Sequence, residues 1–146
     1  MDTAFNSVLP GGYYFVDKSG IKSDEVIKLR QSIGWDDGGS LDKWKKCIEQ
    51  SLVIVGVRSV NKELVGIAFL AGNLRHVAFC DFIVNSKHQH IGIGGAIMTK
   101  IMQTIRDFDI NFVYAEFADA NPFKEKMLKA GFKVTGRSLF KDPFDD

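Results

Sequence analysis

The sequence has little net charge to offer a partner. Its 146 residues carry 19 lysines and arginines against 18 aspartates and glutamates, a formal balance of +1. That balance supplies no general pull toward nucleic acid or an anionic membrane, and neither is expected as a partner. Long apolar runs are missing too. None approaches the thickness of a bilayer, and Met1-Asp2-Thr3-Ala4-Phe5 lacks the basic stretch and apolar run of a secretory signal. Export and membrane spanning are therefore disfavoured, and a cytoplasmic location is expected. Only two cysteines occur, Cys47 and Cys80, far apart and in no CxxC pattern. Both are read as reduced, structural thiols, because a catalytic thiol requires a neighbouring base and an electropositive setting. Internal repeats, low-complexity tracts and linkers are also absent.

What is present suits one globular domain spanning residues 1–146: 45% of the residues are apolar and 25% charged, enough apolar side chain to offset ordering entropy. Tyr13 to Val16 reads as a short strand. Ser23-Asp24-Glu25 offers a cap and early acids for a helix that buries Val26, Leu29 and Ile33 and stops at Gly34. Ser40 caps a second helix burying Leu41, Trp44 and Ile48. Three apolar runs follow, Leu52 to Val57, Leu64 to Leu70 and Val77 to Val84, the first two joined by a turn at Val60 to Glu63. Each is expected to be a strand buried on both sides. Ile97, Ile101 and Ile105 mark a helix ending near Asp107, and Asn111 to Ala118 a further strand. A short helix through Phe123, Met127 and Ala130 ends at Gly131, and Phe132 to Phe140 gives a last strand. The order implies an α/β domain with a mixed sheet. The strands on either side of the Ile97 helix form a parallel βαβ unit, in which ligands bind at the carboxyl ends of strands.

The chemistry concentrates between Val84 and Ile97, where Asn85-Ser86-Lys87-His88-Gln89-His90-Ile91-Gly92-Ile93-Gly94-Gly95-Ala96 turns from a polar loop into glycines as a helix begins. The first turn of a helix carries backbone N–H groups without intrahelical partners and the positive end of the helix dipole. Glycines there remove the Cβ atoms that would hold an anion away, so a pyrophosphate fits. A Walker A loop would need Lys-Ser/Thr at the helix start, where this chain has Ala96-Ile97-Met98. A dinucleotide fingerprint needs a third glycine three residues after Gly94, where it has Ile97.

Gln89, Gly92 and Gly94 match the Gln/Arg-x-x-Gly-x-Gly/Ala motif, directly after a strand, of the acyl-CoA loop in the GNAT superfamily of N-acetyltransferases, which this chain resembles. The likeness extends through Asp81-Phe82-Ile83-Val84 and Lys129-Ala130-Gly131-Phe132, covering about residues 77 to 132, with Gly34-Trp35 a weaker echo near the start. The resemblance implies a mostly antiparallel central sheet flanked by helices, with splayed central parallel strands, and acetyl-CoA as acyl donor. It further implies that Gln89, His90, Ile91, Gly92, Ile93, Gly94 and Gly95 hold the CoA pyrophosphate, that the backbone of Phe82, Ile83 and Val84 pairs with the pantetheine arm, and that Asn121 touches pantetheine. Asn121 also has the ordinary reading of a helix cap before Pro122.

Making an amide from a thioester requires a proton acceptor for the amine, and Asp81 and Glu116 are the acids inside otherwise apolar strands beside the expected gap. Strand parity puts Asp81 on the face of Phe79 and Ile83. Either acid also has a structural reading as a hydrogen-bond acceptor. Ala78 stands where some relatives carry a glutamate base, and Met127 where many carry a tyrosine that protonates the leaving thiolate. No metal site is expected, since His88 and His90 lack ligands at customary spacing. Trp35, Asp36 and Asp37 suit a cationic amine or an ordinary turn. The function expected is acetyl transfer to a primary amine of a small molecule or a protein, by a monomer or homodimer. The alternatives are an acyl-CoA-binding regulatory module and a nucleotide-binding protein using the same loop.

Overall fold

A computed structural model describes residues 8–35, 39–116 and 123–135. They fall into two compact units, one within Phe5–Glu116 and the other within Phe117–Asp146.

The larger unit is built on a five-stranded sheet in the order β1-β2-β3-β4-β5, with strands β1 Tyr14–Val16, β2 Val53–Arg58, β3 Leu64–Gly72, β4 His76–Val84 and β5 Phe112–Ala115. All neighbouring pairs are antiparallel except β4 and β5, which are parallel as the βαβ reading requires. Helices α1, Ser23–Ser32, and α2, Leu41–Gln50, precede the long strands, and α3, Ile93–Asp107, connects β4 to β5.

Alternation along β3 explains the layering. Ile67 and Phe69 belong to one buried cluster with Val26 and Leu29 of α1 and Ile48 of α2. Gly66 points the other way, where a Cβ would come within 2.9 Å of Ile97 Cδ1 and 3.2 Å of Ile93 Cγ2, so its missing side chain lets α3 lie close on the sheet. Residues Leu64 through Leu70 are all buried between these layers. The expectation that the Val77 to Val84 strand is buried on both sides fails, because Ala78 in its first half is exposed.

The helices start much as read. Ser40 Oγ accepts the Lys43 N–H at 3.1 Å. The N-cap of α1 is Lys22 rather than Ser23, and Glu25 Oε1 accepts the Lys22 N–H at 3.1 Å. Arg58 binds both oxygens of Glu25, at 2.6 and 2.8 Å, and joins α1 to the end of β2; this hydrogen bond is the main cause holding the Glu25 carboxyl below its usual range. Leu41 is 56% exposed rather than buried: α2 reaches the core through Trp44 and Ile48, and its first turn lies beyond it.

In the smaller unit α4 spans Phe123–Lys129, and Gly131, at φ +101, closes it with hydrogen bonds from Gly131 N to Leu128 O and Phe132 N to Met127 O. Residues 132–135 of the expected final strand are not in a strand; its remaining residues, through Phe140, lie outside the described set, as do Ala118 and Asn121.

Candidate active site

The site is organised by the way β4 parts from its neighbours. Among the described residues its parallel pairing with β5 runs from His76↔Phe112 to Phe79↔Ala115, while β4 itself continues to Val84. On the other side its register with β3 slips: Cys80 lies opposite Phe69 and Ile83 opposite Ile67, so Asp81 and Phe82 together face Ala68. This is a β-bulge, with Asp81 in the left-handed region at φ +52. The extra residue resets the alternation. Cys80 and Ile83 both reach the α1/α2 side, whereas the Phe79 and Phe82 rings meet at 5.5 Å. The parity expectation for Asp81 is therefore corrected, because Phe79 and Ile83 do not share a face.

The bulge turns Asp81 toward α1. Its carboxylate is ion-paired with Arg30, which is only 6% exposed. The guanidinium carbon of Arg30 lies 5.3 Å from the centre of the Trp35 ring and 5.0 Å from that of Trp44. Arg30 had no signal in the sequence. It is an ordinary helix residue 51 positions from Asp81, and only the packing of α1 over a bulged strand brings them together. Cys80, next to this pair, has its thiol pushed up to about 11, mainly by burial and then by the Asp81 charge. Asp36 and Asp37 lie outside the described residues.

Past Val84 the chain makes a short turn, Ser86–His88, with Asn85 Oδ1 accepting the Lys87 N–H at 2.9 Å. The side chain of Gln89 folds back and donates to Val84 O at 2.9 Å, tying the loop to the end of β4. His90 takes φ +66 and Gly92, the N-cap of α3, φ +99. A Cβ placed on Gly92 would meet nothing within 4 Å, so the space before the helix is open, and Ile91 beside it is 48% exposed. Ile93 and Gly94 are buried in the first turn of α3. Ile93 is thus a core side chain, and its backbone N–H, like those of Gly94 and Gly95, belongs to the first turn, whose N–H groups have no intrahelical acceptor. His88 is engaged elsewhere, with Nδ1 2.9 Å from the Tyr13 hydroxyl. A cavity of about 270 Å³ adjoins that pair, lined by Gly12, Ser59, Asn61 and Glu63 among others.

Glu116 stands one residue beyond β5 and is exposed, rather than lying inside the strand as expected. Two residues before it Tyr114 is 56% exposed, and two before that Phe112 is 45% exposed. Both rings stack on His76, at 6.2 Å and 8° for Tyr114 and at 5.1 Å and 18° for Phe112. Met127 sits in α4, in the smaller unit.

The comparisons with known proteins agree with this architecture. The profile of the family described as Acetyltransferase (GNAT) family matches residues 24–132. An acetyltransferase of the GNAT family from Streptococcus pneumoniae is 19% identical and superposes with a TM-score of 0.74 over 91% of this chain and 99% of its own. A probable acetyltransferase from Staphylococcus aureus is 18% identical, with a TM-score of 0.75 over 90% of this chain and 99% of its own. The glucosamine-6-phosphate N-acetyltransferase of Arabidopsis thaliana is 12% identical, with a TM-score of 0.66 over 91% and 99%. At such identities these structures show a common fold. No curated protein matches the chain in sequence. Among the described residues no helix is long and apolar enough to cross a membrane.

Proposed function

The chain belongs to the GNAT acetyltransferase family, and from that membership we propose that it moves an acetyl group from acetyl-CoA to the primary amine of a small molecule or a protein, by direct attack of the amine on the thioester. One observation carries this reading. β4 runs on through Cys80–Val84 after its last pair with β5 among the described residues, and the loop that follows leads into an open, glycine-bearing helix start. A strand edge suited to an extended amide-bearing arm thus leads to a site suited to a pyrophosphate.

In this reading the N–H groups of Ile93, Gly94 and Gly95 receive the pyrophosphate, and Gln89 holds the loop so that they face it. The backbone of Phe82, Ile83 and Val84 aligns the pantetheine arm. Asn121, which lies outside the described residues, is the residue that the family likeness assigns to pantetheine. A backbone N–H near Ile83 or Val84 faces the negative charge that grows on the carbonyl oxygen. Glu116 takes the proton released as the amine nitrogen bonds to the carbonyl carbon, and passes it to water. The carbon–sulfur bond breaks and the thiolate leaves as an anion, which a thiol of pKa near 8.5 permits without a phenol in the place of Met127. Asp81 is the second candidate base, but its engagement with Arg30 favours a role in holding the bulge.

Thermal shift and thiol release test this together. CoA should raise the melting temperature with dose, and acetyl-CoA should release free thiol when primary amines are added. A CoA shift without release from any amine would mean a binding module. A shift with ATP or NAD but not CoA would mean a nucleotide-binding protein.

A further inference from the structure

The acceptor side of the sheet carries an aromatic stack that the reaction above does not use. His76 on β4 lies nearly parallel to both Phe112 and Tyr114 on β5, and Arg75 adds its guanidinium carbon 5.6 Å from the centre of the Phe112 ring. All three rings are exposed and in register along one sheet face, which makes a flat aromatic platform. The stack ends abruptly. Tyr114 pairs with Ala78 on β4, and Ala78 pairs with Ala71 on β3, so the row beside the last ring is floored by two methyl groups. The following row on that face holds Phe69 and Cys80, and Trp44 covers it, its ring 6.1 Å from that of Phe69. The small side chains of Ala71 and Ala78 thus lie as a trough between Tyr114 and the pair Trp44 and Phe69. Glu116 follows one residue beyond the end of β5, two residues on from Tyr114 and about 7 Å away along extended chain.

We infer that this trough binds the acceptor, and that the acceptor is an amine attached by a short tether to a flat aromatic ring. The inference rests on the acetyl-transfer reading and gives it a substrate class. The ring stacks on Tyr114 over Ala71 and Ala78 as the next member of the series. Its tether then carries the nitrogen alongside Glu116, which attracts the ammonium form on arrival and takes its proton as it reacts. An alkyl amine of equal length has the charge but no flat face to stack, and offset ring stacking distinguishes the two by about tenfold.

The test uses 2-phenylethylamine and n-hexylamine with the full chain, in two measurements. In the first, each amine is titrated calorimetrically into the CoA-saturated protein. In the second, kcat/KM is measured for each with acetyl-CoA. The aromatic amine should be favoured about tenfold in both. Ala78→Leu, which fills the trough, and Tyr114→Leu, which removes its wall, should each bring the ratio close to one while the CoA-induced thermal shift persists. Both positions are exposed, and the thermal shift reports folding of each variant. Equal use of the two amines by the wild-type enzyme would overturn the platform while leaving acetyl transfer standing. If the protein binds the aromatic amine selectively but releases no thiol, the platform survives and the acetyl-transfer reading fails. A dimer that Tyr114→Leu splits without changing the ratio would show the face to be an interface between copies, and the inference would fall.

Discussion

The two sides of β4 are built from different materials. On the side proposed for the cofactor, the candidate anion site is main chain: one loop, one helix start and glycines adjacent in sequence. On the side proposed for the acceptor, Trp44, Asp81, Tyr114 and Glu116 come from α2, β4, β5 and the residue after it, and Arg30 of α1, itself buried, pairs with Asp81. A backbone site depends on local conformation and tolerates change elsewhere. A side-chain site depends on the packing of the whole unit and is free to vary its chemistry while the fold stays the same.

The comparison breaks most visibly at Asp81. Asn enters the left-handed region about as readily as Asp, so Asp81→Asn preserves the bulge conformation and removes only the charge. Arg30 then keeps a buried cation without its partner, which costs about 3 kcal/mol of stability. A urea titration should show that loss as a lower midpoint with an unchanged slope. The pH dependence of turnover in the folded variant should keep its shape. Normal stability with turnover lost on the acidic side would instead make Asp81 the base and dissolve the division between a structural pair and a catalytic acid.

The backbone side should respond to a change of a different kind. Gly92→Val has room for its side chain but not for its φ of +99, which costs a β-branched residue about 1–2 kcal/mol. Relaxing that strain turns the first N–H groups of α3 away from the anion. CoA affinity is expected to fall by about tenfold or more, read as a smaller thermal shift at fixed CoA. The 2-phenylethylamine to n-hexylamine ratio should hold, because nothing in the trough has moved. A changed ratio would mean that the two sides are coupled.

These differences also account for what could be read from the sequence. The helix start at the glycines was legible because consecutive residues dictate that conformation themselves, with Gly92 at φ +99 as the N-cap of α3. The βαβ unit was legible because apolar periodicity switches cleanly from strand to helix at Gly92. The bulge was not legible: a one-residue register slip leaves no trace in Val77 to Val84, yet it moved Ile83 to the other face and sent Asp81 to Arg30. Exposure of Ala78 was missed for a related reason, since an apolar run looks the same whether both faces or one are covered. The aromatic stack was missed because His76, Phe112 and Tyr114 are unremarkable singly, and only the parallel register aligns them.

The smallest expected effect concerns Cys80, which lies in the row beside the trough and would be the nucleophile of a two-step route through an acyl-enzyme. Burial and the Asp81 charge raise its thiol to about 11. At pH 8 roughly one molecule in a thousand then carries the thiolate, the form that attacks a thioester. Raising the thiol also makes the folded state bind its proton more tightly than the unfolded chain does. Stability linked to that proton is therefore full at neutral pH and declines only as the pH climbs through the ordinary thiol range toward 11. Cys80→Ala should leave turnover within about twofold of wild type and cost about 1 kcal/mol of stability, the loss of a group little larger than a methyl. Initial rates against both substrates should give intersecting rather than parallel lines, as direct transfer in a ternary complex requires. Parallel lines together with an inactive, folded Cys80→Ala would place the acetyl group on sulfur before it reaches the amine. In that case the pair formed by Asp81 and Arg30 would have to be reconsidered as the device that governs the thiol.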